Sequence, residues 1–165
     1  MSAGPVAQAD RAALVECADD LEAINRLYRE RRWSDGLPIV PPTVERVERM
    51  LRPVRHPREA VVAIIAPAFG AATVERIAIN AVMAGCDPEY MPALIAAVEA
   101  VAAPQFNLQG LQATTNSVAT WIIVNGPLAG ELEVNSTLNC LGEGAWANAT
   151  LGRALRLVLR NIGGA

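Results

Sequence analysis

Residues 60–102 read AVVAIIAPAFGAATVERIAINAVMAGCDPEYMPALIAAVEAVA, and this stretch decides the fold class. It opens at 60–66 with a continuous run rich in β-branched residues, the kind that fills a buried strand. A helical pattern follows over 74–84, starting behind Thr73, and Gly85 can end it. Asp87-Pro88 restarts a helix, a cap followed by proline at the first position. That second helix runs to about residue 102, alanine-rich and apolar on most sides, so it belongs inside the protein. A buried strand with two helices behind it predicts an α/β or α+β domain.

The flanking segments extend this pattern. Residues 1–9 read as a flexible tail and 10–165 as a single domain. Leu14, Ala18, Leu21, Ile24, Leu27 and Tyr28 follow a helical period over 10–33, and the arginines of RERRW suit the negative end of the helix dipole. The next ten residues, SDGLPIVPPT, combine an Asp-Gly turn with three prolines and form a stiff extended link. Thr43 caps a short helix to about residue 51. A Pro/Arg-rich loop fills 52–59. Strands are expected at 108–115 and 118–124, so the sheet should have about three or more strands flanked by helices. The polar loops should gather at one end of it as ligand loops. A final amphipathic helix spans about 147–161, with Leu151, Leu155, Val158, Leu159 and Ile162 on one side and nothing after it to cover them.

Composition narrows the function classes. Apolar residues make up 52% of 165, and mean hydropathy is +0.25, a level that points to burial in an oligomer. A net charge of −3 with scattered arginines gives nucleic-acid binding no support. No apolar run reaches the roughly 18–20 residues of a membrane span, and no secretion signal opens the chain. Three cysteines without Cys-x-x-Cys spacing fit a reduced, cytoplasmic protein. One histidine and dispersed cysteines do not make a zinc set, no metal ligands are assigned, and no motif names a cofactor.

Several residues could carry chemistry. Cys86 lies between the end of one helix and the start of the next, where a helix N-terminus can stabilise a thiolate; the bland account is a small buried hydrophobe. Glu75 is the companion acid/base candidate, or simply a first-turn acid. Cys140 suits a tight turn better than a nucleophile, and His56 sits in a basic loop where an exposed, idle role is the default. Polar clusters supply the expected substrate contacts: Asn107, Thr114 and Thr115 in FNLQGLQATTN, and Asn125 in VNGP. Asn80 and Asn148 join them, with Arg153 placed to meet a carboxylate or phosphate. The alternative for the loop residues is turn and cap chemistry alone.

Five ordered blocks carry a family resemblance: WSDGLPIVPPTVERVERML, TVERIAINAVMAGCDPEYMPALIAAVEA, FNLQGLQATTN, IIVNGP and ANATLGRALRLVLRNIGG. Over about 25–165 they resemble a largely uncharacterised bacterial family associated with UGSC-motif selenoproteins. The UGSC motif itself is absent from this chain. Cys86, Asn80, Asn125, Asn148 and Arg153 fall on matching positions, whereas Cys140 departs from the pattern. The resemblance implies that this chain corresponds to the first half of longer members, with a second subunit supplying the rest. The resulting expectation is a subunit of a hetero-oligomeric enzyme that handles a small polar or anionic metabolite through Cys86, by redox, lyase or hydrolase chemistry. The alternatives are a non-catalytic structural or binding subunit whose partner carries the chemistry, and a cofactor-binding module.

Overall fold

Residues 12–164 are described by the computed structural model. In chain order the elements are α1 (Leu21–Glu30), α2 (Val44–Leu51), β1 (Val61–Ile65), β2 (Gly70–Thr73), α3 (Val74–Ala84), α4 (Met91–Ala102), α5 (Leu108–Ala113), α6 (Pro127–Glu131) and α7 (Trp146–Asn161). The chain therefore mixes helix and strand, with helix dominant. The proposed tail at 1–9 and the start of the first helix at Asp10 lie outside the described residues.

Local chemistry explains the elements that form. Thr43 Oγ1 accepts from the Arg46 N–H at 3.3 Å and starts α2. Thr73 Oγ1 accepts from the Arg76 N–H at 3.2 Å and starts α3, which Gly85 ends with φ 88°. β1 and β2 form an antiparallel pair, Val61 opposite Thr73 and Ile65 opposite Gly70, with an irregularity between Val61 and Ala63. Helix α3 is buried on nearly every side and packs most extensively against α7. Ala78, Ala81 and Ala154 are fully buried on these two helices, and small side chains let helix axes approach. Gly70 makes the close approach between hairpin and α7: a Cβ there would overlap the Ile162 carbonyl oxygen. Nearby, Ala68 N–H donates to the Gly163 carbonyl at 2.8 Å, so the hairpin turn is held at the end of α7.

Four expectations are corrected. The first helix starts at Leu21, because Asp20 accepts from the Glu22 and Ala23 N–H groups and caps it there. The preceding Leu14 and Val15 are exposed, so the pattern that extends the period toward residue 10 has no core to face. Residues 108–115 do not form a strand: Leu108–Ala113 is α5, with Leu108 buried and Leu111 half-buried at i, i+3 spacing. Residues 118–124 join no sheet, so among the described residues the sheet has two strands, and β2 is one that the sequence pattern hid. Finally, α7 is covered. Leu151, Leu155, Val158 and Leu159 are all buried, against α3 and α4 in place of a missing neighbour.

Candidate functional site

Cys86 follows the left-handed Gly85 and donates its backbone N–H to the Ala81 carbonyl, so it belongs to the closing turn of α3. Its side chain is 8% exposed, and Sγ lies 3.4 Å from the Thr150 carbonyl oxygen of α7, placed to donate. Burial pushes the thiol up to about 12 and the Asp87 charge adds to this, while hydrogen bonding with Thr150 and the Arg153 charge oppose it without offsetting it. The next residues form a 3-10 turn, Pro88–Tyr90, instead of an α-helical N-terminus, and the full helix begins only at Met91. The field expected to stabilise a thiolate is therefore displaced from the sulfur. Chemically this is a protonated, packed thiol. Cys17 is exposed and Cys140 half-buried, and all three are free.

Glu75 is held from three sides. Its Oε1 lies 2.5 Å from Arg58 Nη2, its Oε2 accepts from the Ala12 N–H at 3.3 Å, and its own N–H donates to the Arg58 carbonyl. Arg58 also binds Glu48 at 2.7 Å. The carboxylate thus secures the loop before β1 to the start of α3.

Arg153 is committed in the same way. Its Nε and Nη2 donate to the two carboxylate oxygens of Asp35 at 2.8 and 2.9 Å, and Nη2 also donates to the Pro38 carbonyl at 2.8 Å. Burial works to raise the Asp35 pKa, but the hydrogen bonds and charge of Arg153 overcome it and hold the carboxyl below its ordinary range. This bidentate pair fastens the Pro-rich link onto α7. Asn25, which the sequence pattern did not single out, fastens the same link to α1. Its Oδ1 accepts from the buried Ile39 N–H at 2.7 Å while Nδ2 donates to Leu21.

The asparagines divide between the two ends of α7. Asn80 donates to the Arg76 carbonyl and accepts from Asn161 Nδ2 at 2.7 Å, and that same Nδ2 donates to the Trp33 carbonyl. Asn148 accepts from the Asn135 N–H at 2.9 Å and donates to the Asn135 and Cys140 carbonyls at 2.8 and 2.9 Å. It stitches the loop before α7 to the first turn of that helix. Asn148 and Asn161 are separated by about 20 Å along the axis at the helical rise. Asn80 and Asn148 therefore do not meet around one small metabolite. Because the hairpin turn sits at the far end of α7, the polar loop at 135–144 does not share one end of the sheet with it.

The remaining candidates are turn residues or exposed. Asn107 has φ 53° and links the 3-10 turn Pro104–Phe106 to α5. Thr114 Oγ1 accepts from the Asn116 N–H at 3.2 Å, and Thr115 and Asn125 are exposed. His56 is exposed beside a shallow hollow of about 290 Å³ that also meets Pro92 and Glu99. Among the described residues no group of three or more His, Cys, Asp or Glu is placed to hold a metal ion. No single described helix is long and apolar enough to cross a membrane.

What the fold assembles lies elsewhere. A cleft of about 530 Å³ opens between α5, the segment 118–121 and α7, lined by Phe106, Leu111, Trp121 and Leu155 with Gln112 and Arg156 at its polar side. Gln112 Nε2 donates to the Ala66 carbonyl at 3.1 Å, and its Oε1 accepts from Arg156 Nη1 at 3.2 Å. Three further apolar side chains, Leu138, Leu141 and Trp146, stand exposed in and just after the latched loop, with Leu138 92% exposed. The signal for the cleft was available: residues 100–130, which supply Phe106, Leu111 and Trp121, contain no Asp, Glu, Lys or Arg. No family model, curated protein or solved structure matches the chain.

Proposed function

We propose that this chain is a non-catalytic structural or binding subunit whose partner chain carries the chemistry. One observation supports this reading above others. The buried or half-buried candidates that could have served a reaction are already engaged inside the fold: Cys86 with Thr150, Glu75 with Arg58, Asn80 with Asn161, Arg153 with Asp35. A catalytic group needs a free valence toward substrate and a pKa near the working pH. Cys86, pushed up to about 12, has neither. The exposed apolar side chains Leu138, Leu141 and Trp146 support the partner half of the reading, since large apolar side chains in and beside a well-fixed loop suit protein contact. The resemblance to longer bacterial proteins adds that the partner corresponds to their second half.

The test is native mass spectrometry of the chain expressed with and without the proteins encoded beside it. A defined hetero-complex is expected, with Leu138→Lys and Trp146→Ala weakening it at least tenfold. Any catalytic activity of that complex should survive Cys86→Ala. Loss of activity in that variant while the complex stays intact would return the chemistry to this chain.

A further inference from the structure

Residues 117–125, SVATWIIVN, have the sequence and exposure pattern of a β-strand, but among the described residues no strand lies beside them. No helix, turn or bend interrupts the segment, and none of its residues has a positive φ. From Thr120 to Asn125 the side chains alternate: Thr120, Ile122 and Val124 half-buried, Trp121, Ile123 and Asn125 exposed. Ile122 packs against the core, and Val118 to Trp121 border the cleft over α5 and α7, so the inner face is anchored. Yet among the described residues no backbone N–H or C=O of 117–125 has a backbone partner.

Such an edge is a hazard that monomeric proteins blunt with charge, proline or a covering element. Among the described residues none of these protects the segment. It contains no proline, and the nearest charged residues in sequence are Glu99 and Glu131. Trp121 is 71% exposed and Ile123 81% exposed, so the outer face is large and apolar as well. Val, Thr, Trp and Ile are the residues that pair best across strands.

We infer that residues 117–125 form the dimer strand of this protein, pairing antiparallel with the same strand of a second copy across a two-fold axis at Ile122. The segment is self-complementary and uncharged, which is what pairing with its own copy requires. In a two-fold pair both copies present the same face to the same side, so opposite residues must share parity, and the axis falls on a residue and not between two. With the axis at Ile122, Trp121 of each copy lies opposite Ile123 of the other, two aromatic–β-branched pairs on the exposed face. Thr120 lies opposite Val124 on the inner face. No charge is placed against a like charge anywhere along the contact, because none exists between residues 100 and 130. A two-stranded ribbon alone is marginal, but here each strand is backed by its own helices.

The purified full chain tests this by light scattering coupled to size exclusion between about 1 and 100 μM, with hydrogen–deuterium exchange read on peptides covering 117–125. The expected result is a dimer, with amide exchange at 118–124 slowed at least tenfold relative to the dissociated chain. Ile123→Lys, a change at an exposed side chain, should raise the dimer Kd at least tenfold while the protection of α3 and α7 stays unchanged. Leu138→Lys should leave the dimer intact. A monomer over the whole range with 118–124 unprotected would overturn the inference and leave the edge for a different chain. Protection of 118–124 in a monomer would overturn it in favour of the chain's own residues 1–11, and a dimer indifferent to Ile123→Lys would overturn it too. None of these results decides the subunit reading above, which fails if no hetero-complex forms or if this chain itself carries the chemistry.

Discussion

Labelling of Cys86 by a thiol reagent is expected to be slow in the folded protein and fast in the unfolded one. Alkylation proceeds through the thiolate. Burial moves the group from an ordinary 9.0 to about 12, which at neutral pH removes about three powers of ten from the thiolate population. Exposed Cys17 serves as the internal standard. Mass-spectrometric counting after iodoacetamide treatment at pH 7.5 should therefore show Cys17 modified at least a hundredfold faster than Cys86. The same shift has a consequence for stability. A group whose folded pKa is raised stabilises the fold fully below its unfolded pKa, and that contribution is lost as pH rises toward the folded value. Above pH 9 the unfolded chain sheds the Cys86 proton while the folded chain keeps it, so stability should fall by about 1.4 kcal/mol per pH unit from this group alone. Burial also raises Tyr28 and Tyr90, with the same sign. The chain contains no lysine to add a titration in this range. Urea unfolding of wild type and Cys86→Ala at pH 8 and pH 10 isolates the cysteine contribution, since the tyrosines cancel between the two proteins. Labelling of Cys86 as fast as Cys17 in the folded state would refute the reasoning, as would identical pH dependence in the two proteins.

Other perturbations probe the contacts that hold the link and hairpin to α7. Asp35→Asn should cost about 2 kcal/mol in chemical denaturation at pH 7, because it removes one partner of a bidentate, four-fifths buried ion pair. In wild type the Asp35 carboxyl sits below its ordinary 3.8, so its contribution is present above that pH and disappears as pH falls further; the difference from the Asn variant should close in strong acid. Asn25→Ala should cost about 1–3 kcal/mol by leaving the buried Ile39 N–H without an acceptor, and exchange at that amide should accelerate. Gly70→Ala should cost about 1–3 kcal/mol, visible as a lowered Tm, since its methyl would meet the Ile162 backbone and not a side chain that can turn away.

Much of the helical framework was legible because its causes are local. Thr43, Thr73 and Gly85 mark helix ends within three residues of the groups they satisfy. The spacing of Leu151, Leu155, Val158 and Leu159 marks the buried side of α7 whatever covers it. Short apolar runs were ambiguous for a physical reason: FNLQGLQA fits period two as well as three, and only burial of Leu108 under its neighbours favours the helix. The hairpin strand Gly70–Thr73 has almost no side chain to announce it, being selected by its pairing with β1 and its contact with α7.

The candidate site shows the same division more sharply. The sequence by itself determined which polar and nucleophilic residues exist, that they cluster in loops, and that a long neutral segment runs through the second half of the chain. It could not determine what those residues touch. Arg153 meets Asp35 across 118 residues, Asn161 meets Asn80 across 81, and Cys86 meets Thr150 across 64. Local pattern carries no information over such separations, because hydrogen bonds and burial at these positions depend on how α3, α7 and the Pro-rich link pack together. That packing turned a set of apparent ligand contacts into the internal fastening of the fold, and left the uncharged segment at 117–125 without a backbone partner among the described residues.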